Sequence, residues 1–152
     1  MFQKVLIANR GEIAVRIIRS CKQLGIETVA VYSKIDEHSL HVSLADEAVC
    51  IGGNNAKDSY LNMENILSAA INTKAEAIHP GFGFLSEQAK FAQLCESCDI
   101  TFIGPSAETI KNMGDKSKAK QLMKEAGIPL VPGSALEVSL EEGKKIADEI
   151  GF

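Results

Sequence analysis

Residues 2–32, FQKVLIANRGEIAVRIIRSCKQLGIETVAVY, decide the fold. The apolar run FQKVLIA stops at Asn9-Arg10-Gly11, and we interpret it as a buried strand followed by a turn. A helix is predicted from about Glu12 to Leu24, and Gly25 suits the left-handed cap that ends it. The β-rich run TVAVY at residues 28–32 predicts a second strand. Strand, helix and strand in this order form a βαβ unit, which implies a parallel sheet with a right-handed crossover.

The first predicted helix has one apolar and one polar face. Its apolar residues recur at helical spacing and are expected to pack on the sheet; they are Ile13, Ala14, Ile17, Ile18, Cys21 and Leu24. The opposite face carries Glu12, Arg16, Arg19 and Gln23. We therefore expect this helix to cover one face of the sheet with its polar side chains in solvent.

Strands and helices continue to alternate up to about residue 104. Further strands are predicted at residues 47–51, 75–78 and 100–103, with a helical turn at 39–44 and helices at 61–73 and 86–97. The expected inward residues of the two longer helices are Leu61, Ile66, Leu67, Ala70, Ile71, Phe91, Leu94 and Cys95. This alternation predicts an α/β fold with a doubly wound parallel sheet.

The pattern changes after Gly104. Two consecutive helices are predicted at residues 106–113 and 115–126, followed by a loop or strand at 129–138. Ser139-Leu140-Glu141-Glu142 has the form of a capping box and predicts a helix that runs to Ile150. Because a helix followed by glycine and an aromatic residue normally leads into a strand, we expect the natural chain to continue past Phe152.

The composition excludes several classes of protein. The chain has 152 residues, of which 45% are hydrophobic and 24% charged, and its net charge is −4. This balance disfavours nonspecific binding to nucleic acid or to anionic membranes. No apolar run approaches the roughly 20 residues of a membrane span, and the N-terminus lacks the features of a signal peptide. We expect a cytoplasmic protein that binds neither nucleic acid nor membrane.

The cysteines and two of the histidines do not predict a metal site. Cys21, Cys50, Cys95 and Cys98 are expected to be reduced and buried or half-buried. Cys95 and Cys98 have CxxC spacing, but they lie at the end of a helix, and no second pair completes a zinc ligand set. His38 and His41 have no further ligand near them in sequence, so we expect both on a solvated surface.

Two loops have the position of ligand-binding loops in open α/β sheets. Residues 8–14 lie where a dinucleotide fold places its phosphate loop, and Asp36 follows the second strand, where a ribose-binding acid lies in such folds. Gly11 alone does not complete the G-x-G-x-x-G pattern, so a structural turn is the stronger interpretation. His79 opens the loop HPGFGF at the end of a predicted strand, and its glycines allow close backbone approach. Structural need alone explains such a loop equally well.

Lys116, within Met113-Gly114-Asp115-Lys116, is the third candidate. It lies at the start of a predicted helix, where the helix dipole favours anions. A lysine at such a helix end would add a point charge for phosphate. A surface lysine in a linker is the alternative, and the residues alone do not decide between the two.

Six segments, taken together, resemble those of biotin carboxylases. In chain order they are KVLIANRGEIAVR (4–16), ADE (45–47), SYLN (59–62), HPGFGFLSE (79–87), FIGP (102–105) and MGDK (113–116). The resemblance runs from residue 2 to 152 and is to the N-terminal part of the biotin carboxylase subunit of bacterial acetyl-CoA carboxylases. Pyruvate, propionyl-CoA and related carboxylases share this module, so the final carboxyl acceptor stays open.

The resemblance implies a domain division and an activity. Residues 1–113 would form a Rossmann-like, pre-ATP-grasp domain with helices on both faces of the sheet, and residues 114–152 the truncated beginning of an ATP-grasp domain. The family carboxylates biotin on a carrier protein with ATP and bicarbonate, through carboxyphosphate, using Mg²⁺ or Mn²⁺. It implies a homodimer that works with biotin carboxyl carrier protein and carboxyltransferase subunits in fatty acid synthesis.

The resemblance also implies roles for individual residues. Lys116 matches the family lysine that contacts the ATP phosphates. The loop at residues 79–84 matches the segment that closes over biotin, which brings Phe82 and Gly83 near it. The usual pattern there is GYGF, so Phe82 keeps a ring but lacks a hydroxyl. Arg16 and Arg19 match the helix face that joins two subunits, and Gln23 replaces a commonly acidic residue on that face.

Most of the family's active site follows residue 152. Its glycine-rich loop, its metal-binding carboxylates, its bicarbonate site and the arginine that holds biotin all come later in the family's chains. We therefore predict no catalytic residue in this chain and no activity from it alone. The alternatives are a module of another acyl-CoA or pyruvate carboxylase, a non-catalytic dimerisation module using Arg16 and Arg19, and a nicotinamide-binding domain, against which the lone Gly11 counts.

Overall fold

The chain folds into two compact units, and five parallel strands form the centre of the first. The structure, a computed structural model, describes residues 1–134 and 138–151. The two units are residues Met1–Ala107 and Glu108–Phe152. No helix within the described ranges is long and apolar enough to cross a membrane.

The sheet of the first unit has the order β3-β2-β1-β4-β5. Its strands are β1 (Lys4–Ile7), β2 (Glu27–Ser33), β3 (Glu47–Gly52), β4 (Ala77–His79) and β5 (Thr101–Phe102), and every neighbouring pair is parallel. The predicted α/β fold is therefore confirmed. Strands β2 and β3 are added on one side of β1, and the connection from β3 to β4 reverses this direction, so a switch point lies between the neighbouring strands β1 and β4. This is the place where open α/β sheets bind ligands.

Helices cover both faces of this sheet, as predicted. They are α1 (Gly11–Gln23), α2 (Leu40–Leu44), α3 (Met63–Thr73) and α4 (Ala89–Ser97), with 3₁₀ turns at Lys34–Asp36 and Ala56–Asp58. Because side chains alternate along a strand, Val5 and Ile7 face α1 while Leu6 faces α3 and α4. The two resulting apolar layers form the core.

Three residues predicted to face inward are exposed instead. Leu24 lies one residue beyond the end of α1, and Leu61 precedes α3, so neither is on the packed stripe of its helix. Ile71 lies on α3 but outside the buried face, which is made by Ile66, Leu67, Ala69 and Ala70. The small alanines of that face let the helix approach the sheet closely.

The prediction of a solvated surface is wrong for His41 and right for His38, which is exposed. His41 is only 1% exposed, and its Nε2 donates to the carbonyl of Val31 over 3.3 Å. The short helix α2 folds against both α1 and β2, and this contact buries the ring. Sequence spacing within so short a helix does not reveal which face is covered.

The cysteines divide into two groups, so the prediction of burial is only half right. All four thiols are free; Cys21 and Cys95 are buried, whereas Cys50 and Cys98 are exposed. Cys50 lies on the outermost strand β3, and Cys98 is the C-cap of α4. Residues at a sheet edge and beyond the last helical turn have fewer neighbours to cover them.

The second unit is helical in its described residues. It contains all of α5 (Ala107–Gly114) except its first residue, which ends the first unit, together with α6 (Lys116–Glu125) and α7 (Leu140–Ile150). The predicted capping box is confirmed: Glu142 N donates to Ser139 Oγ over 3.3 Å, and Ser139 N donates to Glu142 Oε2 over 3.0 Å. Residues 129–134 and 138 form no strand, and residues 135–137 of the predicted loop or strand lie outside the described part of the chain. The division at residue 113 stays a prediction.

Candidate functional site

The loops that follow β1 and β4 meet at the carboxyl ends of these neighbouring strands. Ala8 N donates to the carbonyl of His79 over 2.9 Å, which extends the pairing of β1 and β4 by one residue. The side-chain amide of Asn9 then donates to the carbonyls of Pro80 and Phe82, each over 2.8 Å. The two loops that the sequence singled out separately therefore form one structure.

A glycine makes the tight contact between these loops possible. Gly81 has φ of +67°, in the left-handed region that favours glycine, and a Cβ there would lie 2.7 Å from Asn9 Nδ2. Its N–H donates to His79 Nδ1 over 3.1 Å, so that ring nitrogen carries no proton. Burial lowers the pKa of His79, which favours the neutral ring. Residues 79–82 thus form a closed turn around the Asn9 amide.

Phe82 and Gly83 lie at the outer side of this turn. Phe82 as a whole is 63% exposed, although its carbonyl oxygen accepts a hydrogen bond from Asn9. Gly83 repeats the φ of +67°, and a Cβ there would meet nothing within 4 Å. The loop therefore presents an aromatic ring to solvent on a fixed backbone. The role of Phe82 and Gly83 near biotin stays a prediction.

Arg10 joins this loop to the second strand. Its guanidinium carbon lies 5.3 Å from the centre of the Tyr60 ring and 5.5 Å from that of the Phe84 ring. These two rings stack with their centres 5.2 Å apart. Arg10 Nη1 also lies 3.4 Å from Asp36 Oδ2. A cation in contact with two aromatic faces and a carboxylate ties the end of the glycine loop to the sheet.

Asp36 accepts hydrogen bonds from neighbouring side chains, Arg10 and Tyr60 among them. Its Oδ2 accepts hydrogen bonds from Ser33 Oγ and Tyr60 OH, both over 2.8 Å. Burial alone would raise the pKa of Asp36, but the hydrogen bonds from Ser33, Tyr60 and Arg10 outweigh it and hold the pKa below its usual value. At the position of a ribose-binding acid, one carboxylate oxygen, Asp36 Oδ2, thus accepts from three of the protein's own donors.

Tyr60 is buried beneath the loop. Its hydroxyl donates to Asp36 and accepts from the backbone N–H of Ser33 over 3.1 Å. Burial, together with the nearby Asp36 carboxylate, raises the pKa of Tyr60 to about 12. Sequence reasoning missed Asn9, Arg10 and Tyr60 as parts of one cluster, although all three lie in the quoted segments 4–16 and 59–62. The long-range pairing that joins those segments was not visible in the sequence.

Lys116 occupies the first turn of α6, as predicted. Asp115 is the N-cap of this helix, and its Oδ1 accepts from Ser117 N and Lys118 N, each over 3.0 Å. The protein thereby supplies its own anion to two of the free N–H groups at this helix end. Lys116 is exposed, and its ammonium makes no hydrogen bond or ion pair within residues 1–134 and 138–151. Its contact with ATP stays a prediction.

Arg16 and Arg19 are both exposed on α1, on the face opposite the core. This face borders an open groove of about 740 Å³ between α1 and the start of α2. The groove is lined by Gly11, Glu12, Val15, Arg16, Arg19, Ser20, Gln23, Ser39, Leu40 and His41. The assignment of Arg16 and Arg19 to a subunit interface stays a prediction. Among the described residues, no group of three or more His, Cys, Asp or Glu side chains is placed to hold a metal ion.

The first unit is thus a Rossmann-like α/β domain, and the loops after β1 and β4 form its candidate ligand-binding edge. Residues 1–110 match the family described as "Biotin carboxylase, N-terminal domain". The chain belongs to this family, which confirms the resemblance to biotin carboxylases predicted from its segments.

Individual relatives match over the whole chain. Biotin carboxylase 1 of Bacillus subtilis (strain 168) is 59% identical over 153 residues, which cover 100% of this chain and 34% of that protein. The biotin carboxylase domain dimer of Hydrogenobacter thermophilus 2-oxoglutarate carboxylase, in complex with MgADP, ADP and bicarbonate, is 56% identical with a TM-score of 0.93. The biotin carboxylase of Campylobacter jejuni, in a beta-gamma-ATP complex, is 46% identical with a TM-score of 0.94. The match covers 100% of this chain and 34% of each solved chain, so the chain spans about a third of the length of these relatives.

Proposed function

We propose that this chain is the N-terminal part of a biotin carboxylase, an ATP-dependent ligase that carboxylates carrier-bound biotin with bicarbonate. The observation that carries the proposal is the high identity over the entire chain to a bacterial biotin carboxylase. The relative from Hydrogenobacter is bound to MgADP and bicarbonate, which are a product with its metal and a substrate of this reaction. A Mg²⁺ or Mn²⁺ ion would neutralise phosphate charge when bound.

Within this scheme the chain contributes edges of two binding sites. Lys116 would contact the ATP phosphates as a point charge at the start of α6. The turn at residues 79–82 would present Phe82 and Gly83 toward biotin, and the exposed ring of Phe82 on a held backbone supports this role. Residues 1–113 would be the pre-ATP-grasp domain and residues 114–152 the beginning of an ATP-grasp domain. The chemistry, through carboxyphosphate, needs residues that this chain does not contain.

The partners and pathway follow from the same proposal. The active protein would be a homodimer that uses the α1 face with Arg16 and Arg19, and it would act on biotin carboxyl carrier protein. Carboxyltransferase subunits would pass the carboxyl group to acetyl-CoA for fatty acid synthesis in the cytoplasm. A different acceptor, such as pyruvate or another acyl-CoA, is the alternative, because the domain of a 2-oxoglutarate carboxylase is nearly as similar as that of the Bacillus protein.

The test uses the longest natural reading frame that contains this chain. ADP release is measured with bicarbonate and Mg²⁺, with and without free biotin, in the wild type and in Lys116→Ala. We expect biotin to stimulate ADP release and Lys116→Ala to lose most of it. Lys118→Ala, which removes a neighbouring exposed lysine of the same helix turn, is the matched control and should keep the activity.

Two results would contradict the proposal. A folded wild-type protein that releases ADP at the same rate with and without biotin would not be a biotin carboxylase. The 152-residue chain alone is expected to hydrolyse no ATP, and nucleotide binding to it at micromolar concentration would show that the ATP site is more complete here than proposed.

A further inference from the structure

We propose that Asn9 is a positioning residue, which holds the backbone of residues 80–82 in the shape that presents Phe82 to biotin. This inference rests on the proposed function, because it takes biotin as the ligand of the loop. Asn9 itself is buried beneath the loop and is only 3% exposed. It therefore acts through the loop and not by contact with the ligand.

Every hydrogen-bonding group of the Asn9 side chain has a partner, and these partners support the positioning role. Its two amide hydrogens are both used, one on the carbonyl of Pro80 and one on that of Phe82. Its oxygen accepts from the N–H of Arg10 over 2.9 Å. Exchanging the oxygen and nitrogen of the amide would set the oxygen against two carbonyls and the NH₂ against an N–H. The surroundings thus admit one orientation of the side chain, and only an amide satisfies it.

The loop is shaped to receive this amide. Gly81, between the two held carbonyls, lies so close to Asn9 Nδ2 that a Cβ would not fit at 2.7 Å. His79 Nδ1 also accepts a hydrogen bond from the N–H of Gly81, which closes the turn. Asn9 therefore contacts two carbonyls that lie 71 and 73 positions later in the chain. These contacts fix the loop relative to β1.

The held backbone has a consequence for binding. The carbonyl of Phe82 is fixed while its ring stays exposed, so the backbone that carries the ring needs no ordering at the moment of binding. Without the Asn9 hydrogen bonds the loop backbone would be mobile, and ordering it on binding would cost free energy. Affinity for biotin would fall, whereas the reaction of bound biotin, carried out elsewhere, would keep its rate.

The experiment replaces Asn9 by its isostere in the longest natural protein that contains this chain. Asn9→Asp keeps the size of the side chain but directs a carboxylate at two carbonyl oxygens. Asn65→Asp is the matched control, because Asn65 Nδ2 also donates to a backbone carbonyl over 2.8 Å, that of Ile51 in the edge strand β3, away from the loop. The KM for free biotin, the KM for ATP and kcat are measured from ADP release.

We expect Asn9→Asp to raise the KM for biotin by about tenfold or more, as two hydrogen bonds are lost. The KM for ATP and kcat at saturating biotin should stay within about twofold, and Asn65→Asp should change none of the three. Amide hydrogen exchange of residues 81–84 should be faster in Asn9→Asp and unchanged in Asn65→Asp. An unchanged KM for biotin in Asn9→Asp would overturn the positioning role alone. A wild type that biotin does not stimulate would overturn the proposed function.

A second pair of variants keeps the test valid if Asn9→Asp does not fold. Gly81→Ala breaks the same contact from the side of the loop. Gly25→Ala imposes a comparable left-handed strain, with φ of +72°, at a position where a Cβ meets nothing within 4 Å. Gly81→Ala should raise the KM for biotin and Gly25→Ala should not. Equal KM values in the two variants would overturn the positioning role.

Discussion

The glycine loop at residues 79–84 and the start of α6 at Lys116 were both candidate sites in the sequence, but they are built differently. The loop is held by Asn9, whose partners Pro80 and Phe82 are 71 and 73 residues away along the chain. The start of α6 is held by Asp115, whose partners are two and three residues away. Side chains of the loop are therefore placed relative to the sheet, whereas Lys116 is placed only relative to its own helix.

Burial differs between the two regions in the same sense. Ile78, directly before the loop, is fully buried in the core of the first unit, whereas α6 has no buried residue. Helices of this length are marginal in water without packing. The loop therefore takes its shape from the whole first unit, while the helix of Lys116 depends on its caps and local contacts.

The strongest test of this difference is a pair of truncations, Ile78→Ala and Leu122→Ala. Ile78 is completely buried in β4, so its truncation should lower the free energy of unfolding of the first unit by about 2–5 kcal/mol. Leu122 is half-buried on α6, and its truncation should cost about 1 kcal/mol or less. Urea unfolding with hydrogen exchange resolved by segment measures both. Equal losses in the two variants would show that α6 is packed as firmly as the sheet.

Removal of one hydroxyl beneath the loop should have a smaller effect. Tyr60→Phe leaves the buried N–H of Ser33 without its acceptor and removes a donor from Asp36, so we expect a loss of about 2 kcal/mol in the stability of the first unit. The pKa of Asp36 should rise, because the Tyr60 hydrogen bond is one of the contacts that hold it down. Urea unfolding measures the stability, and NMR titration measures the pKa.

Tyr32→Phe is the matched control for this hydroxyl. Tyr32 is half-buried in β2, and in the part of the chain that the structure describes its hydroxyl makes no hydrogen bond. Its removal should change the stability by less than about 0.5 kcal/mol. A loss in Tyr60→Phe no larger than that in Tyr32→Phe would mean that the hydrogen bonds of the Tyr60 hydroxyl with Ser33 and Asp36 do not stabilise the first unit.

The fold was predictable because its signals are local. The alternation of apolar runs with amphipathic stretches sets the order of strands and helices, and the capping box at Ser139 marks the start of α7. The helix boundaries were predicted less accurately: Leu24 and Leu61 lie just outside their helices, where an apolar residue no longer faces the core. Periodicity identifies a face of a helix but not the residue at which the helix ends.

The candidate site was predictable only in pieces. The loop at residues 79–84 was visible from its glycines and its position after a strand. Its attachment to Asn9 was not, because the order of strands in a sheet depends on pairings far apart in the chain. His41 was misjudged for the same reason, since the residues that bury it lie on α1 and β2.

The smallest effect should be a dependence of the first unit's stability on pH. Burial lowers the pKa of His41; the Val31 carbonyl and Asp36 favour its protonated form, and Arg10 opposes it. Burial also lowers the pKa of His79. In the unfolded chain both histidines have the ordinary pKa of about 6.5. They therefore bind protons more readily in the unfolded state than in the folded state. Stability should be fully present above that pH and should fall as the pH drops below it. The lowered pKa values of Asp36 and Asp46 act in a separate window, below their ordinary value of 3.8.

This dependence distinguishes the two regions, because all three histidines of the chain, His38, His41 and His79, lie in the first unit. Between pH 7.5 and 5.5, urea unfolding should show a loss of stability in the first unit, while the helicity of α6, followed by NMR, should stay constant. His41→Gln keeps a donor for the Val31 carbonyl and should flatten the slope, since one of the two groups that cause it is gone. His38→Gln changes an exposed side chain and is the control. If His41→Gln and the wild type have the same slope, the burial of His41 does not make the sheet unit sensitive to pH.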